Sequence, residues 1–262
     1  MIGAMRRSVE AAPLPHGGLS VVVPVYNEAE NVVPLAEEIV SALAEAGRFG
    51  MIFVDDGSND GTGDRLADLQ RSYPNLRVVR HVANYGQSAA LLSGVRAAAS
   101  AWIATLDGDG QNDPADIFAL LESLREAGDD PPAMIAGIRV NRRDSWVRRI
   151  SSRLANRVRL TLLDDDSPDT GCGLKLFRRD VYLALPAFDH MHRFLPALVQ
   201  RNGGRVVNVP VGHRPRRAGR SKYGLGIGSR LWVGIVDLFG VMWLRHRPLT
   251  PLPDDNDRDR PG

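Results

Sequence analysis

Short apolar runs alternate with longer amphipathic stretches through the first 140 residues of the chain. Four runs have the length and the β-branched content of buried strands: 19–25, 50–54, 76–80 and 101–106. Three intervening stretches have apolar residues at helical spacing: about 29–46, 62–72 and 86–99. This alternation is the pattern of βαβ units, so we predict an α/β fold with a mainly parallel central sheet and flanking helices.

Turn-forming and capping residues mark the ends of several elements. The segment 60–62, Asp-Gly-Thr, offers a turn and then an N-cap, and the segment 84–86, Asn-Tyr-Gly, precedes an Ala-rich helix. Pro114 suits the first turn of a helix that ends near Ala127. The apolar run 133–138 then predicts a further strand.

The second half of the chain carries two segments that are both apolar and basic. Residues 145–163 place apolar side chains, Trp146 among them, at four-residue spacing with arginines between them. Such a helix can pack on the sheet or lie on an anionic membrane surface, and the pattern leaves both open. Residues 226–247 contain the apolar run 231–244 and end in Arg-His-Arg, which predicts an amphipathic interfacial helix. This run is too short for a bilayer, which needs roughly 20 apolar residues.

The two ends of the chain differ from the middle in composition. Residues 1–18 have no continuous apolar run, so we predict a flexible N-terminal arm and no signal peptide. Residues 248–262 are rich in Pro and Asp, which predicts a disordered tail.

Composition argues against several classes of protein. The chain has 33 Lys+Arg against 31 Asp+Glu, and its arginine clusters carry no nucleic-acid reader motif, so we expect no nucleic-acid partner. A single cysteine, Cys172, excludes an internal disulfide and a Cys-rich zinc site, and it fits a cytoplasmic protein. We expect Cys172 to pack in the interior.

Acidic and amide side chains follow three of the predicted strands: Tyr26-Asn27-Glu28, Asp55-Asp56-Gly57-Ser58 and Asp107-Gly108-Asp109-Gly110-Gln111. The carboxyl ends of parallel strands meet at one edge of a sheet, so these loops are expected to line one crevice. Hard oxygen ligands on one short loop suit a divalent cation held against a diphosphate.

Five ordered motifs together resemble one enzyme family: Pro24-x-Tyr26-Asn27-Glu28, Asp55-Asp56-Gly57-Ser58, Asn84-x-Gly86, Asp107-x-Asp109-x-Gln111 and Gly219-x-Ser221-Lys222-Tyr223. They are similar to the motifs of family 2 glycosyltransferases of GT-A fold. More narrowly, the chain looks like the polyprenyl-phosphate sugar synthases of the dolichol-phosphate mannose synthase branch. The resemblance runs from about Leu19 to Leu244 and implies a catalytic GT-A domain over 19–225.

The resemblance implies a nucleotide-sugar donor across the strand ends. The residues it places around the donor are Pro24, Tyr26, Glu28, Asp56, Asn84 and Asp107. It also implies that Asp109 and Gln111 hold Mg²⁺ or Mn²⁺ against the diphosphate. Such a cation would neutralise the charge that develops on the leaving nucleoside diphosphate, which makes Asp109 catalytic.

The acceptor side needs cations if the acceptor is a lipid phosphate, because a phosphate is already ionised at neutral pH and needs no general base. The basic candidates are Arg139, Arg142, Arg193, Arg214, Arg216 and Lys222, with Ser221 beside the last. We expect Arg214 and Lys222 on a phosphate and Arg139 at the entry. Asp169 matches an acidic position of the family, where it would orient the acceptor or a basic partner; a capping or turn role is an equal alternative.

The expected activity is inverting, metal-dependent transfer of a sugar from GDP-mannose or a UDP-sugar to a polyprenyl phosphate. One alternative keeps the donor site and makes the acceptor a saccharide, lipid or protein hydroxyl, and another is a non-catalytic adaptor. We expect peripheral attachment to the cytoplasmic face of the membrane, and a membrane-embedded glycosyltransferase is a candidate downstream partner.

Overall fold

The computed structural model describes residues 14–140, 163, 167–216 and 227–247. Within these ranges seven strands form one sheet: β1 (Leu19–Val25), β2 (Phe49–Asp55), β3 (Leu76–Arg80), β4 (Trp102–Thr105), β5 (Met134–Arg139), β6 (Lys175–Arg178) and β7 (Val206–Val211). Their order across the sheet is β3-β2-β1-β4-β6-β5-β7.

The sheet is parallel except at one strand. β1 pairs in parallel with β2 and β4, and β5 pairs in parallel with β7. β6 lies between β4 and β5 and is antiparallel to both, with Lys175 opposite Thr105 and Ala136. The beginning of β6 therefore lies at the same edge as the ends of β4 and β5. The prediction of an α/β fold with a mainly parallel sheet is confirmed.

Seven α-helices lie among the described residues: α1 (Val32–Leu43), α2 (Thr62–Ser72), α3 (Gln87–Ala97), α4 (Ile117–Glu126), α5 (Arg179–Leu183), α6 (Leu195–Arg201) and α7 (Ile227–Arg245). Short 3₁₀ turns precede α4, at Pro114–Asp116, and α6, at Met191–Arg193. The first of these turns is capped by Asp113, whose carboxylate accepts the backbone N–H of Ala115 at 3.0 Å. The expected helix start at Pro114 thus has a local cause.

Each face of the sheet covers its own apolar core. Alternate residues of a strand point to opposite faces, so Val21 and Val23 enter one core and Val22 enters the other. The first core contains Leu35 of α1 together with side chains of α2 and α4. The second contains side chains of α3, α5 and α6, and also Leu163, the last residue of the predicted basic helix. The rest of that helix lies outside the described residues.

The C-terminal helix α7 is fixed to the domain at two points. Near its middle, Asp237 accepts a hydrogen bond from His190 at 3.1 Å. At its end, the guanidinium of Arg201 donates to the carbonyl oxygens of Leu244 and Arg247, at 2.7 and 2.8 Å. These contacts hold α7 against the second core. No helix in the described ranges has the length and hydropathy that crossing a membrane requires.

The outer face of α7 is apolar. Val241 is buried, and Leu238 and Met242 pack beside it. Among its described side chains, five large apolar ones are exposed: Val233, Ile235, Val236, Phe239 and Trp243. The Arg247 guanidinium lies 5.1 Å from the Trp243 ring centroid, so a cation borders this face.

Candidate active site

The loops after β1 and β2 are joined by hydrogen bonds at the carboxyl edge of the sheet. Asn27 has a left-handed backbone (φ 53°), which turns the chain directly after β1. Its N–H donates to the hydroxyl of Ser58 at 2.8 Å, and its side-chain oxygen accepts the N–H of Asn59 at 2.8 Å. The N–H of Glu28 donates to Thr62 at 2.9 Å. Two of the three loops expected in one crevice are therefore one connected surface.

Asp56, one of the residues expected around the donor, anchors the loop between β3 and α3. Its carboxylate accepts the N–H groups of Tyr85 and Gly86, at 3.0 and 2.8 Å, and a hydrogen bond from His81 at 2.7 Å. The other ring nitrogen of His81 lies 2.9 Å from Ser93. Asp56 thus shapes this side of the crevice through the loop, and the exposed Asn84 sits on the same loop.

A cavity of about 370 Å³ opens next to this loop. Its lining residues are Gly57, Ser58, Arg80, His81 and Val82. They lie at the carboxyl ends of β2 and β3, where ligands collect in open α/β sheets.

Asp107 follows β4 at the carboxyl edge of the sheet. Gln87, the first residue of α3, donates to its carboxylate at 2.8 Å, and the backbone N–H of Asp107 donates to Asn112 at 3.2 Å. Burial, and then the charge of Asp109, raises the pKa of Asp107 to about 6. A Cβ placed on Gly173 would overlap this carboxylate, so the glycine gives it room.

Asp109 and Gln111 lie on the same loop and meet residues from the 213–216 segment. The Gln111 N–H donates to Asp109 at 3.1 Å, while the Gln111 amide nitrogen lies 3.5 Å from Nε2 of His213. Nη2 of Arg216 lies 2.5 Å from a Glu28 oxygen and 3.7 Å from an Asp109 oxygen. The guanidinium of Arg216 therefore lies between a carboxylate of the loop after β1 and a carboxylate of the loop after β4.

The donor set fits a divalent ion that a ligand helps to coordinate. Among the described residues, no three His, Cys, Asp or Glu side chains converge closely enough to enclose a metal. Asp109 and Gln111 offer hard oxygen ligands, and a diphosphate would supply the others, as is usual for Mg²⁺. His213, a histidine near the basic segments of the sequence, adds an imidazole near this pair.

Arg139 and Asp169 form a two-point ion pair at the end of β5. The guanidinium donates to the carboxylate at 2.8 and 2.7 Å, and the backbone N–H of Arg139 donates to it at 3.1 Å. Burial opposes the charged guanidinium, but the Asp169 hydrogen bonds and charge outweigh it, so the pKa of Arg139 is raised. The structure thus gives Asp169 a basic partner, one of the alternatives left open by the sequence.

The other basic candidates lie in different settings. Arg214 is paired with Glu38 at 3.0 Å and with Asp113, on the outer side of the metal-candidate loop. Arg193 is exposed. Three more candidates fall outside the described residues: Arg142, Ser221 and Lys222. Of the basic candidates, Arg139 therefore pairs with Asp169, and Arg216 lies against Glu28 and Asp109.

Several residues that shape the site were not singled out from the sequence. Gln87 holds Asp107, and Ser88 next to it hydrogen-bonds the ring of His192 at 2.8 Å. Lys175 is buried beneath the loop that carries Asp169. In the sequence, Lys175 stands out only because it lies in an apolar run and the chain contains two lysines.

A family model described as glycosyl transferase family 2 matches residues 20–185. A dodecaprenyl-phosphate galacturonate synthase from Rhizobium johnstonii is 36% identical over 238 residues, covering 89% of this chain and 69% of that protein. An undecaprenyl-phosphate 4-deoxy-4-formamido-L-arabinose transferase from Edwardsiella ictaluri is 34% identical over 210 residues, covering 79% of this chain. The chain spans 63% of that relative's length.

A solved structure shares the fold at low sequence identity. It is a mannosyltransferase from Pyrobaculum calidifontis in complex with GDP-Man and Mn²⁺, with a TM-score of 0.61 and 19% identity. The alignment covers 95% of this chain and 70% of the other.

A mixed, mostly parallel sheet whose carboxyl edge carries Asp107, Asp109 and Gln111 defines a glycosyltransferase of GT-A fold. Within this class, the chain belongs to glycosyl transferase family 2. The family expected from the five motifs is confirmed.

Proposed function

We propose that the protein transfers one sugar from a nucleotide-diphosphate sugar to a polyprenyl phosphate. A phosphate oxygen of the acceptor attacks the anomeric carbon, the bond to the donor diphosphate breaks, and the sugar is delivered with inversion. The observation that carries the proposal is the Arg139–Asp169 pair at the end of β5, two strands from Asp107 and Asp109. The proposal thus assigns a guanidinium to the acceptor side and carboxylates that could hold a metal to the donor side.

The same pair favours a phosphate acceptor over a hydroxyl. A hydroxyl needs a carboxylate or another base to take its proton, and Asp169 is the acidic candidate on that side. Its two oxygens are bound by Arg139 at 2.7 and 2.8 Å, which stabilises the ionised carboxylate and weakens it as a base. An ionised phosphate needs positioning charge instead, and Arg139 supplies it.

On the donor side, Asp109 and Gln111 would hold Mg²⁺ or Mn²⁺ together with the diphosphate. When bound, the ion neutralises the charge that builds on the leaving nucleoside diphosphate. The carboxylate of Asp107 accepts a hydrogen bond from Gln87, and Arg216 donates one to Glu28. Arg216 contacts both Glu28 and Asp109, so its guanidinium would be available to bind a donor phosphate next to these carboxylates.

The relatives support the acceptor class, because both have names that specify a long-chain polyprenyl phosphate. They differ in the sugar, galacturonate in one and a formamido-arabinose in the other. We propose GDP-mannose or a UDP-sugar as the donor.

A lipid acceptor implies contact with a membrane, and α7 provides the surface for it. Val236, Phe239 and Trp243 form an exposed apolar face, and Arg247 at its end can meet anionic headgroups. We propose peripheral attachment to the cytoplasmic face through this helix and residues 145–163. The lipid-linked product would then pass to a membrane-embedded glycosyltransferase.

The test is transfer of label from a panel of UDP- and GDP-sugars into an organic-extractable product, with purified protein, polyprenyl phosphate and Mg²⁺ or Mn²⁺. We expect one donor to label the lipid, and Asp109→Ala to abolish the labelling. Asp129→Ala, which removes an exposed carboxylate far along the chain from the motif, is the matched control. Label in a saccharide or protein, with none in the lipid, would instead support a hydroxyl acceptor.

A further inference from the structure

Lys175 is a buried lysine at the edge of the sheet that carries the site. It begins β6, is 4% exposed, and lies between Thr105 and Ala136 of the neighbouring strands. Its ammonium donates to the carbonyl oxygen of Thr170 at 3.3 Å and to that of Cys172. Burial lowers the pKa of Lys175, and the nearby carboxylates, Asp107 among them, oppose that shift.

A buried ammonium is costly for a fold, because two carbonyl oxygens do not replace the water that it loses. A methionine of similar length would fill the same space without that cost. Buried charges with shifted pKa values cluster at functional sites. The position of Lys175 therefore calls for a role beyond packing.

The loop that Lys175 holds, 169–173, contacts both halves of the site. At its beginning, Asp169 holds the guanidinium of Arg139. At its end, Gly173 lies against the carboxylate of Asp107, and its carbonyl oxygen accepts the hydroxyl of Thr105 at 2.6 Å. A shift of this loop would displace a donor-side carboxylate and an acceptor-side cation together.

We propose that Lys175 is a positioning residue for sugar transfer. Its ammonium fixes the 169–173 loop and so sets the place of Asp107 relative to Arg139. Lys175 touches neither substrate; it acts through the loop. The inference rests on the proposed function, since it assigns Asp107 to the donor and Arg139 to the acceptor.

The central experiment compares Lys175→Met with Leu176→Val. Leu176 is the next residue of β6 and is fully buried. Its side chain belongs to the first core, on the face of the sheet opposite to the side chain of Lys175. We expect Lys175→Met to lower kcat by about 100-fold, as misplacement of reacting groups by about 1 Å does. Its Tm should stay within about 4 °C of the wild type, which corresponds to about 1 kcal/mol in a chain of this size. Leu176→Val should lose activity only in proportion to any unfolding.

A double-mutant cycle with Asp169→Asn tests the route. If Lys175 acts through the loop, the effects of the two substitutions on kcat/KM should be strongly non-additive. Lys175→Met alone would already release the 169–173 loop, so the further loss of the Asp169 contact with Arg139 would add little. Additive effects, or normal turnover in Lys175→Met, would overturn the proposal. Restoration of turnover by the charge-conserving Lys175→Arg, even in part, would support it.

Hydrogen exchange separates this inference from the proposed function. In Lys175→Met, the amides of 170–174 should exchange at least about 10-fold faster, while those of β1 and β2 stay protected. If the wild type transfers no sugar to any acceptor, the proposed function fails. The role of Lys175 is tested separately: unchanged exchange of the 170–174 amides in Lys175→Met would refute it, whether or not the wild type transfers sugar.

Discussion

The guanidinium of Arg139 and the carboxylate of Asp169 are joined by two side-chain hydrogen bonds of 2.8 and 2.7 Å. A third hydrogen bond, from the Arg139 backbone N–H at 3.1 Å, fixes the carboxylate relative to the end of β5. The side chains are 15% and 9% exposed, so the pair is mostly removed from water. Its geometry leaves Arg139 oriented before any acceptor arrives.

Asp169→Asn should therefore weaken acceptor use more than donor binding. We expect kcat/KM for polyprenyl phosphate to fall by about 10- to 100-fold, and the free energy of unfolding to fall by about 3 kcal/mol, since a buried guanidinium loses its partner. Steady-state kinetics and urea denaturation measure the two effects. Arg139→Lys, which keeps the charge and loses the two-point contact, should show the same kinetic direction. Complete loss of kcat with an unchanged acceptor KM would point instead to a base.

Gly173→Ala should impair donor chemistry while the fold survives. The added Cβ would overlap the carboxylate of Asp107, which must then turn away from Gln87. We expect turnover to fall by about 100-fold. Isothermal titration with nucleoside diphosphate and Mn²⁺ should show weaker binding. The matched control is Gly234→Ala on α7, where the Cβ meets open space and the helix gains up to about 1 kcal/mol. Equal activity in both variants would contradict the contact.

His192 makes the protein less stable as the pH falls. Burial, and then the charge of Arg193, lowers the pKa of His192 from 6.5 to about 3 in the folded protein. Between those values the unfolded chain binds more protons than the folded one, so the free energy of unfolding drops as the pH falls below about 6.5. This one group contributes a slope of up to about 1.4 kcal/mol per pH unit.

Urea denaturation at pH 7.5, 6 and 5 checks the His192 prediction. The wild type should lose stability over this range more steeply than His192→Asn, which keeps a hydrogen-bond acceptor for Ser88 and does not titrate. His246→Gln, which replaces an exposed histidine, is the matched control for the loss of one imidazole. Parallel pH profiles for the wild type and His192→Asn would contradict the assignment.

The outer face of α7 should govern binding to anionic vesicles. Val236 and Phe239 are each 53% exposed, so replacing both by Asp removes apolar contact and adds charge repulsion at no cost to the core. We expect vesicle affinity to fall by at least about 10-fold, with Tm unchanged, in co-sedimentation assays. Leu183→Asp, an exposed apolar residue on α5, should bind vesicles as the wild type does. Equal binding by all three proteins would place the membrane contact elsewhere.

The first half of the fold could be predicted from the sequence because its signals are local. Strong apolar runs predicted the ends of β1 to β4 to within about one residue. The later strands gave weaker signals. β6 is only four residues long and has Lys175 and Arg178 at its ends, while the edge strand β7 contains Asn208 and Pro210. Neither run has the sequence pattern of a buried strand; pairing with the neighbouring strands makes each of them part of the sheet.

The site was predicted in part for the same reason. Asp107, Asp109 and Gln111 follow one strand, so their shared location could be read directly. The partners of Asp56 come from residues 25 to 30 positions away, and Arg139 meets Asp169 across 30 positions. Such pairings depend on how the loops cross the sheet edge. No spacing pattern encodes them.

The reversed direction of β6 has an evolutionary consequence. Because β6 begins at the site edge, the described residues just before it, 167–174, reach that edge against the direction of the other strands, while the loops after β1, β2 and β4 reach it from the carboxyl ends of parallel strands. Substitutions in 167–174 are therefore expected to leave the register of β1, β2 and β4 unchanged. Under the proposed function, this arrangement would let the acceptor side diverge in evolution while the donor side is kept.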